Sequence, residues 1–199
     1  MKVRLSINGR PREADVEPRK TLLDTLREDF LLVGSHAGCE HGVCGACTVL
    51  IDGEPSRACL MFAVQADGYE ITTIEGLAPA PGELSIMQDA FCETHGLQCG
   101  YCTPGMILTA HALLTRNDTP TREDIVEAIS GNICRCTGYG QIVEAVEFAA
   151  DRLRKTNAPR DPQAAHADEP VIGRVAKSKA PQGGILEAAQ TDAPRGGRS

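Results

Sequence analysis

Eight of the nine cysteines in the chain fall into two separate sets of four. The first set comprises Cys39, Cys44, Cys47 and Cys59, and the second comprises Cys99, Cys102, Cys134 and Cys136. Four thiolates can hold one [2Fe–2S] cluster. The sequence of 199 residues therefore predicts two such clusters on one chain, which indicates an electron-transfer function.

The first set is concentrated in one loop, residues 39–47 (CEHGVCGAC), and its fourth cysteine stands apart. This C-x4-C-x2-C…C spacing is typical of plant-type ferredoxins. Gly38, Gly42 and Gly45 lie before and between the cysteines, where glycine lets backbone N–H groups approach the sulfur atoms closely. The alternative is a structural zinc site, but zinc sites typically take their ligands in pairs from two short hooks. The spacing therefore favours iron.

The second set consists of two hooks, 99–102 (CGYC) and 134–136 (CRC). On its own, a C-x2-C pair fits a zinc hook or a redox dithiol equally well. Both hooks lie at predicted helix ends, because Thr103-Pro104 is a typical helix start and the second hook follows a helix that ends near Gly131. A helical bundle can bring these two ends together around one cluster. Outside both sets, Cys92 is predicted to be a small core residue and His41 a solvent-facing loop residue.

The elements that must position these cysteines change character along the chain. Residues 1–78 predict strands and turns: Val3, Leu5 and Ile7 alternate with polar residues, and Asn8-Gly9 and Asp52-Gly53 are turn signals. Residues 79–154 instead show helical periodicity and predict four helices, one of them capped by Thr121-x-x-Asp124. We therefore predict two domains with these bounds. Residues 155–199 are rich in Pro, Gly and Ala without any period, which predicts an extended or partner-wrapping tail.

Composition excludes several other classes of function. The formal net charge is −7 and there is no basic stripe, which argues against a nucleic-acid partner. The N-terminus has no apolar run of the kind found in signal peptides, and we found no stretch long enough for a membrane helix. We therefore predict a cytoplasmic protein, and in that reducing compartment clustered cysteines are metal ligands more often than disulfides.

The order of motifs resembles the small iron–sulfur subunit of the molybdenum hydroxylases, the family of xanthine dehydrogenase, aldehyde oxidoreductase and carbon monoxide dehydrogenase. The resemblance covers residues 1 to about 154. It rests on five segments: GCEHGVCGACTVLIDG (38–53), ACL (58–60), TIEGLA (73–78), LQCGYCTPGMI (97–107) and GNICRCTGY (131–139).

This resemblance implies an α+β chain, with a β-grasp ferredoxin domain followed by a four-helix domain and one [2Fe–2S] cluster in each. The first cysteine set would lie nearer a flavin and the second nearer molybdenum. Gln98 and Cys136 would contact the pterin of the molybdenum cofactor. The implied partners are a large molybdopterin subunit and a medium FAD subunit, with a dimer of such heterotrimers as one arrangement. The implied reaction is hydroxylation of a carbon centre with oxygen from water, with no substrate site on this chain.

Two other functions are compatible with parts of the pattern. One is a stand-alone ferredoxin with two clusters. A plant-type ferredoxin needs only the first domain, so this function leaves the second domain unexplained. A zinc-stabilised interaction module would contain zinc and no inorganic sulfide.

Overall fold

The structure, a computed structural model, describes residues 1–157. The predicted tail therefore lies outside the described residues from position 158 onward. The strands are β1 (Lys2–Ile7), β2 (Arg10–Asp15), β3 (Thr48–Ile51), β4 (Glu54–Arg57) and β5 (Glu70–Thr72). The helices are α1 (Leu22–Asp24), which continues as a π turn over Thr25–Asp29, α2 (Ile86–Glu93), α3 (Thr103–Arg116), α4 (Arg122–Ile129) and α5 (Gly140–Asn157).

The five strands form one mixed sheet in the order β2-β1-β5-β3-β4. Two antiparallel hairpins, β1-β2 and β3-β4, flank the central strand β5, which is parallel to β1 and antiparallel to β3. Both hairpins turn on the predicted Asn-Gly and Asp-Gly pairs: Asn8, Gly9, Asp52 and Gly53 all have positive φ, as two-residue hairpin turns require. This is the predicted β-grasp arrangement.

The core of the sheet half includes two of the predicted cluster ligands. Apolar side chains of β1, β3 and β5 pack against Leu22, Leu23 and Leu26 of the first helical segment. Cys47 and Cys59 belong to the same buried cluster of side chains. The first cysteine set therefore lies at the edge of a hydrophobic core and not on a free surface loop.

The second half contains the four predicted helices, α2 to α5. Ser85 and Thr121 cap α2 and α4 through reciprocal hydrogen bonds with Gln88 and Asp124, and the second of these boxes is the one that the sequence predicted. One face of each helix contributes to a core around Phe91, which is fully buried. Helix α5 continues to Asn157, past the domain limit predicted at residue 154.

The sheet and the helices share a third patch of core. Leu50 of β3 packs with Leu108 and Ala112 of α3, and each of these side chains is almost fully buried. Ile74 and Leu77, in the segment that joins the two halves, pack against the same patch. The two halves therefore lie in one compact unit, Met1–Ala158, and the division into two domains at residue 78 stays a prediction. Within the described residues, no helix is long and apolar enough to cross a membrane.

Candidate metal centres

The first cysteine set is assembled from a loop, a strand start and a turn. Cys47 directly precedes β3, and Cys59 lies in the short 3-10 turn that follows β4. Because β3 and β4 pair antiparallel, with the Ala58 N–H donating to the Cys47 carbonyl at 3.3 Å, the fourth cysteine returns to the side of the third. The sequence separation of Cys59 from the others is thus the length of one hairpin.

The loop before β3 curls its backbone N–H groups toward Cys39. Glu40 and Gly42 have φ of 56° and 83°, and such left-handed residues turn successive N–H groups toward one concave side. The N–H of Cys44 lies 3.4 Å from the Cys39 sulfur. Hydrogen bonds from the backbone of Cys44 and His41 lower the pKa of the Cys39 thiol to about 6. The loop therefore favours the thiolate, which is the form that binds iron.

The two inner cysteines of the first set, Cys47 and Cys59, lie in a buried environment. Cys47 and Cys59 are 2% and 8% exposed. Burial raises the pKa of the Cys47 thiol to about 11. A thiolate at this position needs the positive charge of a bound metal, because desolvation disfavours an uncompensated anion.

The second cysteine set joins the start of α3 to the loop between α4 and α5. Cys102 is the residue at the N-terminal cap of α3, and burial raises the pKa of its thiol to about 12. Burial also acts to raise the pKa of Cys134, but the hydroxyl and N–H of Thr137 donate toward its sulfur and leave that pKa below its usual value. Cys99 and Cys136 are exposed at the outer side of the site.

In both sets the thiols lie in pairs. A neighbouring thiol contributes to the pKa shift of one member of each pair: Cys44 for Cys39, Cys59 for Cys47, Cys136 for Cys99, and Cys134 for Cys102. Among residues 1–157, no three His, Cys, Asp or Glu side chains form a group able to hold a single metal ion. Two thiol pairs per set match the needs of a two-iron cluster, in which each iron takes two protein ligands.

The two cysteine sets are neighbours. One cavity of about 190 Å³ is lined by Cys44 of the first set and by all four cysteines of the second. Gly38 lines it as well, and a Cβ atom there would lie 2.8 Å from the Cys44 sulfur. The structure therefore places Cys44 of the first set next to the second set.

Two ring side chains also connect the loops that carry the cysteines, and no local sequence pattern indicates that they pair. Tyr101, in the first hook, donates its hydroxyl to the Ala37 carbonyl at 2.5 Å, and its own carbonyl lies 2.7 Å from His36 Nδ1. The rings of His36 and Tyr101 stack with their centroids 4.7 Å apart. The CGYC hook is thus bound to the segment that leads into the first cysteine loop.

The remaining predicted residues are placed as follows. Gln98 is exposed beside Cys99, where a partner can contact it. His41 is exposed, as predicted. The prediction that Cys92 is a core residue was wrong: it is exposed on α2, because the buried stripe of this helix runs through Met87, Ala90 and Phe91 and leaves the next residue on the outer face.

Comparison with known proteins identifies the family. Residues 5–73 match the 2Fe-2S iron-sulfur cluster binding domain, and residues 73–147 match the [2Fe-2S] binding domain. The chain is 50% identical over 157 residues to the nicotine 6-hydroxylase small subunit of Paenarthrobacter nicotinovorans, which covers 79% of this chain and 94% of that subunit. The chain belongs to the iron–sulfur small subunits of the molybdenum hydroxylases. It is thus an electron-transfer subunit of an oxidoreductase, with two [2Fe–2S]-binding domains.

Other members of this subunit family act in complexes with different substrates. The iron–sulfur-binding subunit of an aldehyde oxidoreductase from Escherichia coli (strain K12) is 45% identical, covering 77% of this chain and 73% of that subunit. The crystal structure of quinoline 2-oxidoreductase from Pseudomonas putida 86 contains a chain with a TM-score of 0.75 and 49% identity, covering 78% of this subunit and 96% of that chain. The iron–sulfur subunit is therefore similar across substrates that differ widely.

Proposed function

We propose that this subunit carries electrons from a molybdopterin centre on a large partner subunit, through two [2Fe–2S] clusters, to FAD on a medium subunit. The observation that carries this proposal is the grouping of the eight thiols into four neighbouring pairs, with Cys44 of the first set and all four cysteines of the second lining one cavity. The first set, Cys39, Cys44, Cys47 and Cys59, would hold one cluster, and the second set, Cys99, Cys102, Cys134 and Cys136, would hold the other. When bound, each cluster supplies one-electron oxidation and reduction.

The chain's own residues prepare both sites for a cluster that carries negative charge. Backbone N–H groups surround Cys39, and the hydroxyl and N–H of Thr137 point at Cys134. Such donors stabilise the added electron and help to set the reduction potential. The buried thiol of Cys47 and the half-buried thiol of Cys102 shield the inner side of each site from water.

Each cysteine set has an exposed apolar rim that fits a partner subunit. Beside the second set, Tyr101 and Ile133 are 47% and 50% exposed, and Gln98 lies at the same hook. Beside the first set, Val43 and Leu60 are 58% and 63% exposed. Exposed apolar side chains in groups mark protein contacts. We assign the rim of the second set to the molybdopterin subunit and that of the first set to the flavin subunit, in a cytoplasmic complex.

Metal and sulfide analysis of anaerobically purified protein tests the proposal. We expect a red-brown protein with about four iron and four sulfide per chain, and co-purification with chains that contain molybdopterin and flavin. A colourless protein with about two zinc ions and no sulfide would instead establish the zinc-stabilised module. Clusters in a chain that purifies alone from its native source would establish the stand-alone ferredoxin.

Replacing Gln98 by alanine should leave both clusters in place but slow their reduction by substrate. The side chain is exposed next to Cys99, where it would donate to or accept from the pterin, and no internal hydrogen bond of the described chain depends on it. Stopped-flow bleaching of the clusters in the complex measures this rate. The matched control is Gln141→Ala, another exposed glutamine, at the start of α5. Equal rates for Gln98→Ala and the unmodified complex would remove Gln98 from the pterin contact.

A further inference from the structure

The loops that carry the two cysteine sets contact each other directly through their backbones. Residues 131–133, immediately before Cys134, lie against Cys44 and Gly45 of the first loop. The Ile133 N–H donates to the Cys44 carbonyl at 2.8 Å. One predicted ligand of the first cluster is therefore hydrogen-bonded to the residue that precedes a predicted ligand of the second.

Asn132 fixes this contact from within the protein. Its side-chain Nδ2 donates to the Gly45 carbonyl at 3.0 Å and lies 3.3 Å from the Thr48 hydroxyl. Its Oδ1 accepts from the Thr109 hydroxyl at 3.1 Å. Asn132 is only 1% exposed, and a buried amide that lost these partners would cost about 1–3 kcal/mol. The side chain thus ties α3, β3 and both cysteine loops together.

Two glycines allow the loops to approach so closely. A Cβ atom at Gly45 would lie 2.7 Å from both Asn132 Nδ2 and the Gly131 carbonyl oxygen. A Cβ atom at Gly105, on α3, would collide with the Gly45 carbonyl oxygen and lie 3.0 Å from Asn132 Nδ2. No atom larger than hydrogen fits at either position without moving one loop away from the other.

We propose that Asn132 is a positioning residue that sets the separation and relative orientation of the two clusters, and through them the rate at which an electron passes between them. The proposal rests on the proposed function, because it requires both clusters. With both clusters bound, transfer of one electron would oxidise the second cluster and reduce the first, with no bond made or broken and no proton moved. Electron tunnelling weakens steeply with distance, so a small displacement of one loop changes the rate.

The test is the magnetic interaction between the clusters in Asn132→Asp, measured on the full chain with its clusters bound. When both clusters are reduced, their EPR signals split one another by an amount that depends on their separation. Aspartate has the shape of asparagine but replaces the donating Nδ2 by an oxygen that would face the Gly45 carbonyl oxygen, and repulsion between these two acceptors should move the loops apart. We expect a full iron content, unchanged signals when a single cluster is reduced, and an altered splitting when both are reduced.

Gly105→Ala is an independent variant that disturbs the contact between the two cysteine loops from the side of α3. Alanine favours the helix by about 1 kcal/mol over glycine, so the helical half should still form, while the new methyl group pushes the Gly45 carbonyl away. The control is Asn117→Asp, at the opposite end of α3 from Cys102, roughly 20 Å along the helix. This variant should show the splitting of the unmodified protein.

The outcomes separate the inference from the function on which it rests. Full iron content with unchanged splitting in both Asn132→Asp and Gly105→Ala would overturn the positioning role while leaving two clusters in place. Loss of iron from both variants, but not from Asn117→Asp, would also overturn it, because the contact would then serve to retain the clusters. Absence of iron and sulfide from the unmodified chain would overturn the proposed function itself.

Discussion

Replacing Cys44 by serine should remove one reduced-cluster EPR signal and leave the other, together with about two of four iron atoms per chain. Cys44 is a predicted ligand of the first site, and its N–H lies 3.4 Å from the sulfur of Cys39. A serine hydroxyl stays protonated at neutral pH and binds iron weakly. The second site takes all its predicted ligands from the helical half, so it should persist. EPR of the dithionite-reduced protein and iron analysis measure the result.

The ninth cysteine provides a matched control. Cys92→Ser changes the same atom on an exposed position of α2, and it should keep both signals and the full iron content. Loss of both signals from a folded Cys44→Ser protein would contradict the assignment of the cysteines to two separate sites. Retention of both signals would show that Cys44 is not a ligand.

Truncating Phe91 to alanine should lower the free energy of unfolding by about 3–5 kcal/mol. The ring is fully buried in the core of the helical half. Its surroundings are tight, because a Cβ atom added at Gly96 would lie 3.2 Å from the ring and 3.3 Å from Ala145. Such close packing leaves little room for neighbours to fill the cavity. Thermal unfolding followed by circular dichroism should show a midpoint lowered on the order of 10 °C.

Phe62→Ala is the control for this second prediction. Phe62 is 43% exposed in the sheet half, so the same truncation there should cost much less. Equal losses of stability in Phe91→Ala and Phe62→Ala would contradict the claim that burial of Phe91 stabilises the helical core.

Local patterns predicted most of the fold. The alternation of Val3, Leu5 and Ile7 and the Asn8-Gly9 turn predicted the first hairpin, and the Thr121 capping box predicted the start of α4. These features depend on interactions among residues close in sequence, which a single sequence records directly. The cysteine spacing was equally informative, because three ligands within one short loop restrict the metal group that the loop can surround.

What the sequence left open depends on contacts between distant residues. Asn132 is separated from Gly45 by 87 positions, and nothing in its local sequence indicates that its amide is buried between two loops. The stacking of Tyr101 on His36 is likewise a long-range contact. The error at Cys92 has a related cause, because one residue of difference in helical phase separates the buried face from the exposed one.

The patch formed by Leu50, Leu108 and Ala112 has a consequence for how the subunit works. Many redox proteins move a mobile carrier domain between electron donor and acceptor, and their turnover slows as solvent viscosity rises. Here the sheet and α3 share a packed core, so neither half moves as a separate domain on a flexible linker. Electron transfer within this subunit should therefore be independent of solvent viscosity, and any such dependence of turnover must arise outside these two halves.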